Sequence, residues 1–286
     1  MITDGIESCD GDPCAISLGL QQKGIFLRPF IIGMGIEKNY AKAFQCMGRF
    51  LNAQNGTEFR SALDNVVNQT LGKTTISVEL LDIDKKKTEK DVNVAFINNV
   101  TKKSAYDLVH YRDKNGKTDI LDIDAIPSYD LVVYTTPPVV KKNVNIIGGR
   151  HNTIQIRTPQ GLLHIKQKGS TEYSRELKAI IRKSGKGKTL FAQQVGQKEK
   201  YLVGNYDIEV LTLPRAYYKN VKINQDKTTL IDIPQPGLLT VINKLEGFGS
   251  LYKVPEKGHK KWIYNLAEGN FRQANITLQP GKYHFV

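Results

Sequence analysis

The sequence YDLVVYTTP at residues 129–137 is the best guide to the architecture of this chain of 286 residues. It recurs as YDIEVLTLP at residues 206–214, and GKYHFV at residues 281–286 contains a third copy of its start. The three tyrosines are evenly spaced, since 206 − 129 = 77 and 283 − 206 = 77. Apolar residues alternate with polar ones in each copy, which is typical of a half-buried β-strand. The period therefore predicts a repeated β-domain.

A second marker supports the same period. TIQIRTPQGLL at residues 153–163 matches TLIDIPQPGLL at residues 229–239, and the shared glycines give 237 − 161 = 76. Short alternating strands and turns rich in Asn, Gly, Lys and Pro fill the chain from Gly72 onwards, as in small antiparallel β-sandwiches. The repeats are predicted as 74–148, 150–226 and 228–286. We expect the third repeat to be truncated, because the chain stops inside its tyrosine strand.

The tyrosine that opens each marker has two possible roles. An aromatic residue at the start of a strand usually packs in the core, with its hydroxyl hydrogen-bonded to nearby backbone. The alternative is a ring that stacks on a ligand. We favour the core role.

Residues 1–72 follow a different pattern, in which strands alternate with helices. The predicted helices are 13–23, 40–47 and 57–71, and the predicted strands are 25–35 and 49–53. The run from Ile25 to Gly35 is almost wholly apolar, as strands of a parallel sheet are. The fold class is therefore α/β, with a partial doubly wound sheet, followed by all-β tandem sandwiches.

Composition limits the classes of function. The formal charge is +13, from 41 Lys and Arg against 28 Asp and Glu, which favours anionic partners. The lysines are scattered over turns, so we favour solvated loops over a dedicated anion surface. No aromatic and arginine motif of the RNA-binding type accompanies them, so no nucleic acid partner is expected. No apolar run is long enough for a transmembrane segment, and no signal peptide is present in the chain as given.

Three cysteines lie in the first fifth of the chain, at Cys9, Cys14 and Cys46. Cys9 and Cys14 can close a short loop as a disulfide, and free thiols are the alternative. Their spacing is not that of a structural zinc site.

The segment 1–72 resembles the C-terminal half of a von Willebrand factor type A domain. The resemblance rests on the strand end Thr3-Asp4-Gly5, the strand closing on Ile32-Gly33-Met34-Gly35, and the order of elements that follows. It implies a metal-ion-dependent adhesion site, in which Asp4 is one ligand of Mg²⁺ or Ca²⁺. The D-x-S-x-S loop that supplies further ligands in that family does not occur here, so we expect an incomplete site and no bound metal in this chain. The chain is expected to begin inside the domain.

Two further carboxylates follow Asp4. Asp10 and Asp12 are weak candidates for extra cation ligands, but D-G-D-P more often leads into a helix that Asp12 caps, and we favour the cap. Signatures of phosphate loops, dinucleotide sites, zinc proteases and serine hydrolases all fail on inspection, so we do not expect an enzyme.

The repeats resemble, more loosely, the transthyretin-like or carboxypeptidase-regulatory-like modules of bacterial envelope proteins. Together the resemblances imply a non-enzymatic adhesion protein that is periplasmic, secreted or on the cell surface. Its type A domain would bind a protein or glycan with an acidic group through the metal, and the β-sandwiches would act as spacers. The alternative is that the β-sandwiches themselves bind an anionic glycan or lipid. An intracellular type A protein is a more distant alternative. The oligomeric state is not predicted.

Overall fold

The computed structural model describes residues 1–5, 11–25, 27, 29–36, 44, 46–169, 176–242, 248–266 and 273–286. The chain divides into two compact units, Met1–Thr158 and Pro159–Val286. The first unit contains the α/β segment and one β-sandwich. The second contains two further β-sandwiches.

The α/β segment contains three parallel strands and two described helices. The strands β1 (Ile2–Thr3), β2 (Phe30–Met34) and β3 (Arg49–Ala53) pair in chain order. The helices are α1 (Pro13–Gln22) and α2 (Gly56–Leu71). Ile31, Ile32 and Ala53 are buried, as expected of a parallel sheet covered by helices.

Two predictions for this segment are not decided by these elements. Most of the predicted helix 40–47 lies outside the described residues. Three parallel strands and two helices are not enough to identify a type A domain, so that assignment stays a prediction.

The first sandwich is built from two sheets with one shared core. One sheet has the strand order β6-β5-β8-β9 and is antiparallel, and the other has the order β10-β4-β7. Side chains from both sheets, among them Val78, Phe96 and Leu131, form one hydrophobic cluster. The strands are β4 (Thr75–Leu81), β5 (Val92–Asn98), β6 (Ser104–His110), β7 (Leu121–Asp122), β8 (Tyr129–Val133), β9 (Val139–Val144) and β10 (His151–Arg157).

The second sandwich repeats this arrangement. Its sheets have the orders β13-β12-β15-β16 and β14-β11-β17, and they share a second cluster that includes Ile165, Ile181 and Tyr206. The strands are β11 (Gln160–Gln167), β12 (Lys178–Lys183), β13 (Thr189–Gln194), β14 (Lys198–Leu202), β15 (Gly204–Val210), β16 (Ala216–Ile223) and β17 (Thr228–Ile233).

The third sandwich is smaller over the described residues. Its sheets have the orders β18-β21 and β20-β19-β22. The buried cluster consists of Leu251, Leu266, Ile276 and Leu278. The strands are β18 (Gly237–Ile242), β19 (Gly249–Lys253), β20 (Lys261–Leu266), β21 (Gln273–Leu278) and β22 (Tyr283–Phe285).

The first two sandwiches share equivalent hydrogen bonds, as the predicted repeat requires. Asp130 accepts from the backbone N–H of Asn143 at 2.8 Å, and Asp207, its equivalent in the next repeat, accepts from the N–H of Asn220 at 2.8 Å. Both asparagines have a positive φ, 51° and 55°. Asparagine tolerates this left-handed conformation better than most residues, which explains the same residue in both turns.

The tyrosine of the repeat is a core anchor, as predicted. Tyr206 is fully buried, and its hydroxyl donates to the carbonyl of Leu202 at 2.7 Å. Tyr283 makes the same bond to the carbonyl four residues before it, that of Gln279. Burial raises the pKa of Tyr206 to about 12, so the phenol stays neutral and able to donate.

The predicted boundaries between repeats need a correction of one strand each. Strand β10 was assigned to the repeat 150–226, but it pairs in parallel with β4 of the preceding repeat. Strand β17 was assigned to 228–286 and pairs in parallel with β11. The sandwiches therefore close near Thr158 and Pro234. A sequence period gives the length of a repeat but not the residue at which each repeat begins. Here the last strand of each of these two sandwiches pairs with its first strand, and this pairing cannot be read from the period.

Candidate functional site

The second unit contains a cleft of about 920 Å³ between loops and strands of its two sandwiches. The residues 211–217, at the end of β15 and the start of β16, form one wall. The residues from Lys253 to Ile263, around the turn between β19 and β20, form the other. The lining residues are Leu211, Thr212, Leu213, Pro214, Arg215, Tyr217, Lys253, Pro255, Lys261, Trp262 and Ile263.

Glu209 fixes the polar part of the first wall. Its side chain is 8% exposed and forms salt bridges with Arg182 and Arg215. The Tyr217 hydroxyl lies 3.4 Å from the same carboxylate oxygen that Arg215 contacts. Hydrogen bonds from Arg182 and then from Arg215 hold the pKa of Glu209 below its ordinary value. The carboxylate thus orients Arg215 and Tyr217 at the cleft.

Two aromatic side chains of the cleft are unusually exposed. Tyr217 is 62% exposed and Trp262 is 58% exposed. The indole Nε1 of Trp262 donates to Oδ1 of Asn265 at 2.6 Å, which restricts rotation of the ring. A tryptophan that is both exposed and held by a hydrogen bond presents a flat apolar face to a ligand. Single exposed aromatics are common, but two in one concave surface indicate a binding site.

The second wall carries a pair of like charges. Lys253 and Lys261 lie directly opposite each other in the antiparallel register of β19 and β20. Within the part of the chain that the structure describes, neither lysine forms a salt bridge with a carboxylate. Like charges at opposite positions of a ladder destabilise the sheet, and an anion between them would remove that cost. The cleft therefore combines two aromatic faces with two lysines that have no carboxylate partner among the described residues.

The predicted metal ligand Asp4 lies in the α/β segment. It follows β1 directly and is exposed, at the carboxyl end of a parallel strand. Across the described residues, no group of three or more His, Cys, Asp or Glu side chains is arranged to hold a metal ion. A hard cation needs about six oxygen ligands, and the described residues do not bring such a set together around Asp4.

The other predicted site residues have separate outcomes. Asp10 and Cys9 lie outside the described residues. Asp12 is the N-cap of α1, since its side chain accepts from the N–H groups of Cys14 at 2.8 Å and Ala15 at 3.2 Å. This is the structural role favoured from the sequence.

The disulfide prediction was wrong in its pairing. Cys14 bonds to Cys46 rather than to Cys9, with their Cα atoms 5.3 Å apart. The reason is tertiary, because Cys14 lies at the start of α1 and Cys46 lies shortly before β3, so the fold brings together two cysteines that are distant in the chain. The bond ties α1 to the strand layer instead of closing a local loop.

The cleft was missed by sequence reasoning because its two walls are distant in the chain. One signal was available. Trp262 is the one tryptophan of the chain, and it directly follows Lys260 and Lys261. A tryptophan directly after two lysines indicates a solvated, cationic segment, but the opposite wall of the cleft cannot be inferred from this motif.

Comparisons with known proteins do not identify a family for this chain. No family model matches the chain, and no curated protein is similar to it. Two of the solved structures that match are the Bacillus anthracis TIE protein, at 14% identity over 75% of this chain, and a streptococcal ancillary pilin, at 10% identity over 74%. Both have a TM-score of 0.24, so neither supports an argument about function. The chain spans 45% of the first protein and 89% of the second. In the part of the chain that is described, no helix is long and apolar enough to cross a membrane.

Proposed function

We propose that this chain is a non-enzymatic binding protein of the bacterial cell envelope whose β-sandwiches bind an acidic glycan in the cleft of the second unit. The observation that carries the proposal is that Trp262 and Tyr217 line one cleft with Lys253 and Lys261, which form no salt bridge with any carboxylate among the described residues. The C–H faces of a sugar ring pack well on an aromatic ring, and its carboxylate or sulfate groups pair with lysine. Metal-dependent adhesion through the α/β segment stays a prediction.

The shape of the site favours a glycan over a lipid surface. A bilayer is flat, whereas the aromatic and basic groups here line a concave cleft of about 920 Å³. That volume lies in the range of ligand sites that enclose most of a small molecule. A short oligosaccharide would fill it and would place its charges between the two lysines.

The experiment titrates the intact chain with an oligogalacturonate and follows the fluorescence of Trp262. Because the chain has one tryptophan, every change in its emission reports on this cleft. We expect saturable binding that weakens as salt rises, since the lysine contacts are screened. Calorimetry measures the variant Trp262→Ala, which has no tryptophan emission. It should bind about tenfold or more weakly through loss of the stacking surface.

Matched controls separate the charge contribution from general effects. Lys253→Gln with Lys261→Gln should remove most of the salt dependence, whereas Lys166→Gln, an exposed lysine on β11, should leave binding unchanged. The methyl-esterified oligosaccharide, which has the same rings without the charges, should bind weakly. Equal binding of the ester, tighter binding of single-stranded DNA, or no binding at all would each overturn the proposal.

A further inference from the structure

The first sandwich contains a pocket of about 590 Å³ that is separate from the cleft of the second unit. Its lining residues are Asn93, Val94, Asp107, Leu108, Val109 and Tyr134. They belong to β5, to β6 and to the residue that follows β8. Strand β5 is paired on both sides, with β6 and with β8, so the pocket does not arise from an unpaired strand at this position.

The strand register places three of these side chains in a row across the sheet. Val94 and Val133 belong to the core cluster, so Asn93, next to Val94, points to the outer face. Asn93 lies directly opposite Val109 in the antiparallel pairing of β5 with β6. On its other side, the N–H of Tyr134 donates to the carbonyl of Asn93 at 2.9 Å. Asn93 therefore lies between one aliphatic and one aromatic side chain.

Both apolar members of the row are largely exposed. Val109 is 60% exposed and Tyr134 is 53% exposed. Burial of apolar surface is favourable, so a ligand that covers both side chains gains free energy. Isolated exposed apolar residues are common on protein surfaces, but two that line one pocket indicate a binding surface.

The polar members of the pocket are a carboxylate and a carboxamide. Asp107 lies opposite Ala95, which makes it the diagonal neighbour of Asn93 on the same face. Among the described residues, neither the Asp107 nor the Asn93 side chain forms a hydrogen bond or a salt bridge within the protein. A carboxylate accepts hydrogen bonds, whereas a carboxamide both donates and accepts them. The pair thus matches hydroxyl groups, which also donate and accept.

The charge of the pocket separates it from the cleft. No lysine or arginine lines it, although the chain as a whole has a net charge of +13. Its one charged side chain, Asp107, is negative and repels an acidic ligand. An acidic glycan of the kind proposed for the cleft therefore does not fit here, whereas an uncharged sugar does.

We propose that this pocket is a second carbohydrate site, which binds an uncharged sugar residue. The C–H face of the sugar ring packs on Tyr134, and its hydroxyl groups donate to Asp107 and exchange hydrogen bonds with Asn93. Val109 contacts the edge of the ring. The volume of the pocket lies in the range of small-molecule sites. This site does not depend on the function proposed for the cleft.

The test titrates the intact chain with the uncharged methyl glycosides of glucose, galactose, mannose and N-acetylglucosamine, followed by saturation-transfer NMR and calorimetry. We expect saturable binding of at least one of them, with an affinity that does not change with salt, because no ion pair forms. Tyr134→Ala should weaken this binding by about tenfold through loss of the stacking surface. Tyr111→Ala is the matched control, since Tyr111 is also 53% exposed but does not line the pocket, and it should bind as the unchanged chain does.

A second variant tests the hydroxyl contacts without a change of size. Asp107→Asn should weaken binding by about tenfold, because a charged acceptor is lost, whereas Asp84→Asn, at an exposed position outside the pocket, should have no effect. Trp262→Ala should also bind unchanged, so failure here is distinct from failure of the proposed function. No binding of any of the four glycosides, or equal binding by Tyr134→Ala, would overturn the proposal. Tighter binding of protonated methyl glucosaminide that weakens as salt rises would overturn it too, since the pocket would then be a cation site.

Discussion

At the level of single residues, Glu209 is a buried ionisable group on which one wall of the cleft depends. Its side chain is buried, and each of its two carboxylate oxygens contacts one arginine. The same carboxylate holds Arg215 and Tyr217 in position at the cleft. Its carboxylate is stabilised by charge-assisted hydrogen bonds, which are stronger than neutral ones. The same contacts make the stability of this region dependent on pH.

The sign of that dependence follows from the lowered pKa. A group whose pKa is lower in the folded state contributes stability above its unfolded pKa and loses it as the pH falls through the folded value. We therefore expect the stability that Glu209 provides to be complete at neutral pH and to decline below its ordinary value of 4.5. Glu209→Gln should cost about 2–3 kcal/mol at neutral pH and should flatten the loss of stability on acidification.

Urea unfolding at neutral pH and at about pH 3 measures this change, because protonation of a native-state carboxylate appears directly as a lower free energy of unfolding. Asp232→Asn is the matched control, since Asp232 is exposed and should change neither value appreciably. An unchanged slope with pH in Glu209→Gln would show that the salt bridges contribute nothing net.

Among the strands, equivalent positions in different sandwiches provide an internal comparison. Ile165 on β11 is fully buried, whereas Val241 at the same place on β18 is half-buried. Truncation of a core residue costs the lost burial plus the cavity, and a partly exposed residue loses less of both. We expect Ile165→Ala to lower the free energy of unfolding by about 3 kcal/mol and Val241→Ala by about 1 kcal/mol or less.

Urea unfolding of the two variants gives these values. Part of the difference comes from the extra methylene of isoleucine, so Ile165→Val provides the correction. If Val241→Ala costs as much as Ile165→Ala after that correction, the core around β18 is as complete as the others.

The same elements show what can be predicted from sequence and why. The role of Tyr206 was predicted correctly because it depends on a near neighbour in the sequence, Leu202 at the end of β14. The partner of Cys14 was not, because Cys46 reaches it only through the packing of α1 and the strand layer. The predicted boundaries of the repeats were wrong for a similar reason, because β10 pairs with β4, which lies at the other end of the same sandwich in the sequence. Contacts between residues close in sequence can be predicted from the sequence. The pairing of the first and last strands of a sandwich and the walls of a cleft depend on the complete fold.

Across the whole molecule, the distribution of core residues predicts unequal stability. The third sandwich has a much smaller buried cluster over the described chain than the first or the second. Helix α2 has no buried residue, and its Leu71 is 82% exposed. Burial of apolar surface is the main favourable contribution to folding, so regions that bury little open at low cost.

Native-state hydrogen exchange followed by mass spectrometry tests this order. We expect strong protection in β5, β8, β12 and β15, weaker protection in β18 and β19, and weak protection in α2, because local opening there exposes little apolar surface. Uniform protection across the three sandwiches would contradict the order, and it would mean that the smaller core is stabilised by contacts other than apolar burial.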